Sequence, residues 1–248
     1  MNQFRALQTD SMLHEGNVII WWMVITPPLP ALDIARWSGW LDNTENARAE
    51  RFYRQETRET FIAAHALTRR LLAEYTGQTQ LNLPFSFGRF GKPEISPESE
   101  WRFSLSHTGG LVACALARGA EPGLDVETLA RRSDVVKLAE TFFTPIETSR
   151  LREVSESKRR AYFYRLWTLK EATLKATGKG LHAKLNEFSI EPGSPPTIQF
   201  GPDSTDDPAD WHLEQWQPTR KHIMALALRR PSVRPTTTIL RRLQASDL

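Results

Sequence analysis

The 248-residue chain holds a single cysteine, Cys114, so no disulfide can form within it, as suits a reducing compartment. Cys114 lies in the apolar run from Leu111 to Leu116 and reads as a small core residue. Long apolar runs are also missing. Val18 to Ile25 is the most hydrophobic stretch and is far too short to span a bilayer as a helix. No basic segment followed by a long apolar run opens the chain, so no secretory signal is read, and a cytoplasmic location is expected. A large net charge is lacking as well. Thirty-two Lys/Arg against 29 Asp/Glu leave +3, too little for a whole-molecule field that would hold nucleic acid. The Gly-x-Ser-x-Gly elbow of serine hydrolases is absent.

What is present is ordinary globular stuff: 40% hydrophobic residues, 25% charged, and eight tryptophans. Residues 1–16 carry little pattern and read as a loose arm. The spacing predicts a strand over 18–25, a short helix over 29–40 and a long helical region over 43–76, which Gly77 closes. Strands are expected over 85–90, 101–106 and 111–117, with a turn at Gly91-Lys92-Pro93 and another at His107-Thr108-Gly109-Gly110. The order then repeats. A strand at 123–127 precedes helices at 133–142, 145–154 and 156–177, and strands follow at 187–191, 196–200, 210–216 and 222–229. The expected class is α+β, with two similar halves at 1–120 and 121–248.

Several fragments carry candidate chemistry. In Gly123-Leu124-Asp125-Val126-Glu127, strand alternation puts Leu124 and Val126 toward the core and both carboxylates on the other face. Two carboxylates on one face suit a hard divalent cation; an exposed strand end accounts for them equally. In the helix around Trp167, Phe163, Leu166, Trp167 and Leu174 form a buried stripe. Tyr164, Thr168, Glu171 and Lys175 form a second face, which a simple surface Glu–Lys pair also explains. Ser106-His107 before a Gly-Gly turn offers hydroxyl, imidazole and backbone N–H groups to phosphate oxygens, or merely caps the turn. Lys92 stands on a Gly/Pro turn, and arginines 48, 51, 54, 69 and 70 interleave with glutamates on a helix. From Arg150 to Lys184, ten Lys/Arg against three Asp/Glu give +7, either a solvated helix face or a dock for an acidic partner.

In order, these fragments resemble the 4'-phosphopantetheinyl transferases, in particular the larger pseudodimeric, Sfp-type members. The matching elements are Arg51-Phe52-Tyr53, Gly91-Lys92-Pro93, Phe103 to His107, Gly123 to Glu127, Trp167 to Ala172, Lys175 and Gly178-Lys179-Gly180. The resemblance implies an intramolecular pseudodimer that moves the 4'-phosphopantetheine arm of coenzyme A to a serine of an apo carrier protein, leaving adenosine 3',5'-bisphosphate. It implies Mg²⁺ held by Asp125, Glu127 and Glu171, with Glu171 accepting the serine proton and Lys175 steadying the departing phosphate. Arg48, Lys92, Ser106 and His107, with Asp125 and Lys175, are the implied coenzyme A contacts. Carriers of fatty acid, polyketide or nonribosomal peptide synthesis are the implied partners, with no nucleic acid and no membrane, and the enzyme is expected to be a monomer. The +7 stretch, with Phe142 and Phe143 before it, is the expected dock for the carrier's acidic helix. Two positions depart from the family pattern: Glu45 stands where a basic residue is usual, and Phe61 where a phosphate-binding threonine is usual. Arg51, Arg54 and Arg69 are the candidates to compensate. The alternative is a non-catalytic module that binds coenzyme A or an acidic protein.

Overall fold

A computed structural model describes residues 17–77, 81–82, 84–89, 91–95, 99–180, 184–202, 204–229 and 237–248. The arm expected at 1–16 lies outside them. The chain forms two compact units. The first comprises the described residues of Met1–Ser86, Glu94–Gly119 and Thr236–Leu248; the second those of Phe87–Pro93 and Ala120–Pro235.

In the first unit, strand β1 (Val18–Val24) leads to helices α1 (Ala31–Ser38), α2 (Asn43–Glu50) and α3 (Gln55–Thr76). Short strands β2 (Ser86–Phe87) and β3 (Pro93–Glu94) pair around the Gly91 turn, and β4 (Trp101–Thr108) and β5 (Leu111–Arg118) form a hairpin. The last strand, β11 (Thr238–Leu243), returns to lie parallel to β1, giving the sheet order β11-β1-β5-β4. Helix α3 packs on one face of this sheet, where Ile19, Trp21, Met23, Cys114 and Leu116 meet Phe61, Ile62, Leu67 and Leu71. Cys114 is fully buried there, and burial pushes its thiol up to about 12, so it is inert packing.

In the second unit, β6 (Glu121–Thr128) leads to α4 (Val135–Phe142), α5 (Pro145–Glu153) and α6 (Glu156–Thr177). Strands β7 (Phe188–Glu191) and β8 (Thr197–Phe200) pair, and β9 (Trp211–Thr219) and β10 (His222–Arg229) form a hairpin. The sheet order is β6-β10-β9. The repeat foreseen in the element order is therefore also a repeat of topology. In chain order, each set runs as a strand, three helices, a two-stranded pair and a hairpin whose last strand lies antiparallel to the first, although Phe87 and Pro93 of the β2–β3 pair fall in the second unit. The central strands β5 and β10 are buried along their length except at the final arginine, and α3 and α6 each run 22 residues to a left-handed glycine, Gly77 at φ 71° and Gly178 at φ 68°. Among the described residues, no helix is long and apolar enough to cross a membrane.

Candidate active site

The acidic pair begins with a glycine. A Cβ on Gly123 would lie 1.9 Å from the carbonyl oxygen of Ala172 and 2.4 Å from the backbone nitrogen of Ala176. Only glycine lets β6 and α6 come this close. That contact brings the carboxylates of β6 to the helix turn bearing Glu171 and Lys175. Lys175 Nζ stands 2.7 Å from Asp125 Oδ1 and donates a second hydrogen bond, of 2.9 Å, to the Leu124 carbonyl. The expectation that the acidic pair faces away from the core is corrected. Asp125 and Glu127 lie opposite Ala225 and Ile223, on the sheet face that α6 covers, because Gly123 admits the helix on that side. Leu124 and Val126 are on the reverse face and are buried too.

The site is electrostatically tense. Burial pushes the Glu127 carboxyl up to about 7, the Asp125 charge and then Glu171 push the same way, and Arg131 and Lys175 oppose them. Burial and then Asp125 likewise raise Glu171, against the pull of Lys175. Glu127 Oε2 is buried and accepts no hydrogen bond among the described residues; Arg131 Nη1 stands 3.9 Å away. The donor set fits a hard divalent cation: three carboxylates, mutually repelling, one with an unused oxygen. Among the described residues, no three acidic, histidine or cysteine side chains are already gathered around one point.

Lys92 joins the same unit. Its ammonium donates to the Pro122 carbonyl at 3.1 Å and to Glu121 Oε2 at 3.0 Å, so it lies along β6 near the C-terminal glycine of α6. Lys92 and Lys175 thus cap alternate carbonyls of one strand.

Helix α6 carries a residue whose role sequence reasoning missed. Lys170, fully buried, pairs with Glu147 of α5 at 2.9 Å and donates to the carbonyls of Leu185 at 2.7 Å and Phe188 at 2.6 Å. Burial lowers its pKa to about 8 while Glu147 pulls upward. Glu147 also caps α5 and accepts from the Ile190 N–H. This network clamps α6 one residue before Glu171. The available signal was a lysine at the helical spacing of the apolar positions Phe163, Leu166 and Leu174. The second face foreseen on α6 is only partly open: Tyr164 and Thr168 are buried, and Gln215 donates to the Thr168 hydroxyl. Glu171 and Lys175 are half-buried.

The remaining site residues belong to the first unit. The strand extends through His107 and Thr108, so the turn shrinks to Gly109-Gly110, with Gly110 at φ 91°. Ser106 and His107 point to opposite faces. His107 turns its ring edge to Phe61 on α3, with centroids 6.3 Å apart, and Ser106 is buried on the reverse face. The Arg48 guanidinium sits 5.3 Å above the Phe61 ring. Glu45 is the centre of a structural network. It completes the capping box of α2 with Asp42, takes Arg69 Nε at 2.5 Å and meets His65 Nδ1 at 2.6 Å. Burial works to raise its pKa, but the hydrogen bonds and charges of His65 and Arg69 outweigh it and hold Glu45 below its ordinary value. Arg69, buried between Glu45, Asp42 and the Leu81 carbonyl, is engaged as a strut, which takes it off the list of compensating cations. Arg51 and Arg54 are exposed. Phe143, expected on the docking face, is buried and stacks on Phe163; only Phe142 of that pair is exposed.

Comparison with known proteins shows the family. A family model described as the 4'-phosphopantetheinyl transferase superfamily matches residues 121–227. The 4'-phosphopantetheinyl transferase HetI of Nostoc sp. is 36% identical over 222 residues, covering 87% of this chain and 89% of its own. The 4'-phosphopantetheinyl transferase Sfp of Bacillus subtilis is 29% identical over 164 residues, 66% of this chain and 71% of its own. Among solved structures, the holo-[acyl-carrier-protein] synthase of Thermotoga maritima is similar over 44% of this chain and 62% of its own, with a TM-score of 0.36 and 22% identity. With HetI matched along nearly its whole length and the superfamily model lying across β6, α6 and the strands that follow, the chain belongs to the 4'-phosphopantetheinyl transferases and has their enzymatic activity.

Proposed function

We propose that Asp125, Glu127, Glu171 and Lys175 form the centre that moves the phosphopantetheine arm of coenzyme A to a carrier-protein serine, with Mg²⁺ as the metal. The observation that carries this reading is the Gly123 contact. It sets two strand carboxylates against the helix turn bearing a third carboxylate and an ammonium. Transfer of a phosphoryl group asks chiefly for positioning and charge neutralisation, and these side chains are of the kind required. Bound to the three carboxylates, the metal would neutralise diphosphate charge and polarise the phosphorus that is attacked.

The protein's own groups do the rest. Glu171, whose carboxyl burial and then Asp125 push above its ordinary value, is placed to accept a proton from the serine hydroxyl as that oxygen bonds to phosphorus. The bond from that phosphorus to the bridging oxygen of adenosine 3',5'-bisphosphate breaks, and Lys175 supplies positive charge to the departing phosphate. Lys92 is proposed as a nucleotide contact. Arg48, Ser106 and His107 are proposed as further contacts on their chemistry, each to be read from the KM for coenzyme A. The exposed Lys158 and Arg160, together with the partly exposed Phe142, are the proposed carrier dock. The active species is proposed to be a monomer in the cytoplasm.

Release of adenosine 3',5'-bisphosphate from coenzyme A, with an apo carrier present, tests the assignment. It should require Mg²⁺, stop with EDTA and fall by about 10² or more in Glu171→Gln at unchanged thermal stability. A Glu171→Gln variant of full activity would remove the residue from the mechanism.

A further inference from the structure

The ion pair at the centre of the site carries a consequence for the order of events. Lys175 is bonded to one oxygen of the carboxylate proposed to hold the metal. It lies 2.7 Å from Asp125 Oδ1, with its second hydrogen bond to the carbonyl just before that residue. The Asp125 side chain is 9% exposed and that of Lys175 33%. Asp125 is thus the more buried member of the pair. Glu127 and Glu171, both acidic, also feel the Asp125 charge. Arg131, the other cation of the cluster, reaches Glu127. Lys175 is thus a counter-charge held directly on Asp125.

We infer that Lys175 is a displaceable counter-ion: it is bonded to Asp125, and a divalent cation must drive it off. The released ammonium is then delivered to the diphosphate that accompanies the metal. One side chain thereby disfavours metal loading without coenzyme A and serves the leaving group once coenzyme A is bound. A divalent ion carries twice the charge of the ammonium, and a diphosphate gives the displaced lysine a new anionic partner, so the exchange is favoured by metal and substrate together. This inference rests on the metal reading given above.

The test is Mn²⁺ binding to the full-length chain, followed by electron paramagnetic resonance without coenzyme A. Lys175→Met, which removes the charge, should bind Mn²⁺ roughly three- to tenfold more tightly than wild type while losing transfer activity. Lys175→Gln, which keeps a donor for the Leu124 carbonyl, should behave alike and covers the case in which the methionine variant does not fold. In the wild type, Mg²⁺ alone should speed acylation of Lys175 by an amine-directed reagent, read by peptide mass spectrometry. Equal or weaker Mn²⁺ binding by both variants, or a Lys175 reactivity unmoved by Mg²⁺, overturns the displacement. If wild type with coenzyme A binds Mn²⁺ and loses it in Asp125→Asn, the metal reading survives that failure. If no form binds Mn²⁺, both fall.

Discussion

Single residues decide the chemistry here, and two of them are unusual for where they sit. Lys170 is a fully buried ammonium held by one carboxylate and two carbonyls. Removing one partner of such a pair leaves the other charge stranded, so Lys170→Ala should lower the unfolding free energy by about 3–5 kcal/mol. The double replacement Lys170→Met with Glu147→Leu should recover much of that loss, as a denaturant titration of the three proteins would show. Glu127 is unusual in the opposite sense, a carboxyl held near pH 7 by burial and by its acidic neighbours. Its folded pKa lies above its unfolded one of 4.5, so its contribution to stability is complete below that value. It is lost as pH rises through about 7. A divalent cation competes with that proton, so Mg²⁺ should raise Tm more at pH 8 than at pH 5.5. Equal shifts at the two pH values would remove Glu127 from the metal set. The sequence displayed Asp125, Glu127, Glu171 and Lys175 because two periodicities and a family motif coincide on them. It could not display Lys170 or Glu45 as struts, since their partners lie far along the chain: Glu147 and the carbonyls after α6 for one, His65 and Arg69 for the other.

At the scale of elements, the decisive contact is between strand β6 and helix α6. Gly123→Ala would force a methyl into the backbone of the Ala172 turn. It should cost at least about 1–3 kcal/mol of stability and impair transfer even though no charged group is touched. A variant with native Tm and native turnover would show that the two elements need not lie so close. The helices were legible from their apolar spacing and from glycines such as Gly77 and Gly178 that end α3 and α6, but the region read as continuous over 43–76 is two helices, α2 and α3, separated at 51–54. Strand β11 was missed for physical reasons. Thr238–Leu243 does not alternate cleanly, it carries Arg241 and Arg242, and its partner β1 lies at the other end of the chain. A parallel pairing across the whole sequence leaves no local signature.

At the scale of the whole molecule, a chain of net charge +3 keeps a local surplus of +7 between Arg150 and Lys184. Part of that surplus is already spent inside the protein. Lys170 and Lys175 are paired, and Arg150 and Arg152 meet Glu191 and Glu140. Lys158 and Arg160 stay exposed near the start of α6 and are available to an acidic helix, as are the exposed Lys179 and Lys184 beyond its end. Reversing both to glutamate should raise the carrier's KM severalfold, lower its salt dependence and leave the KM for coenzyme A unchanged. A carrier KM that did not move would place the dock elsewhere. The repeated order of elements was legible in the sequence, while the return of the last strand to the first unit was not.

The account as a whole stands on the carboxylate cluster of β6 and α6 carrying metal-dependent transfer. Intact mass spectrometry of an apo acyl or peptidyl carrier protein, incubated with this chain, coenzyme A and Mg²⁺, tests it most directly. The predicted result is a gain of one phosphopantetheine on the carrier's serine, absent with EDTA and absent with Glu171→Gln. A carrier whose mass never changes, or one modified equally well without metal or without that carboxylate, would contradict it.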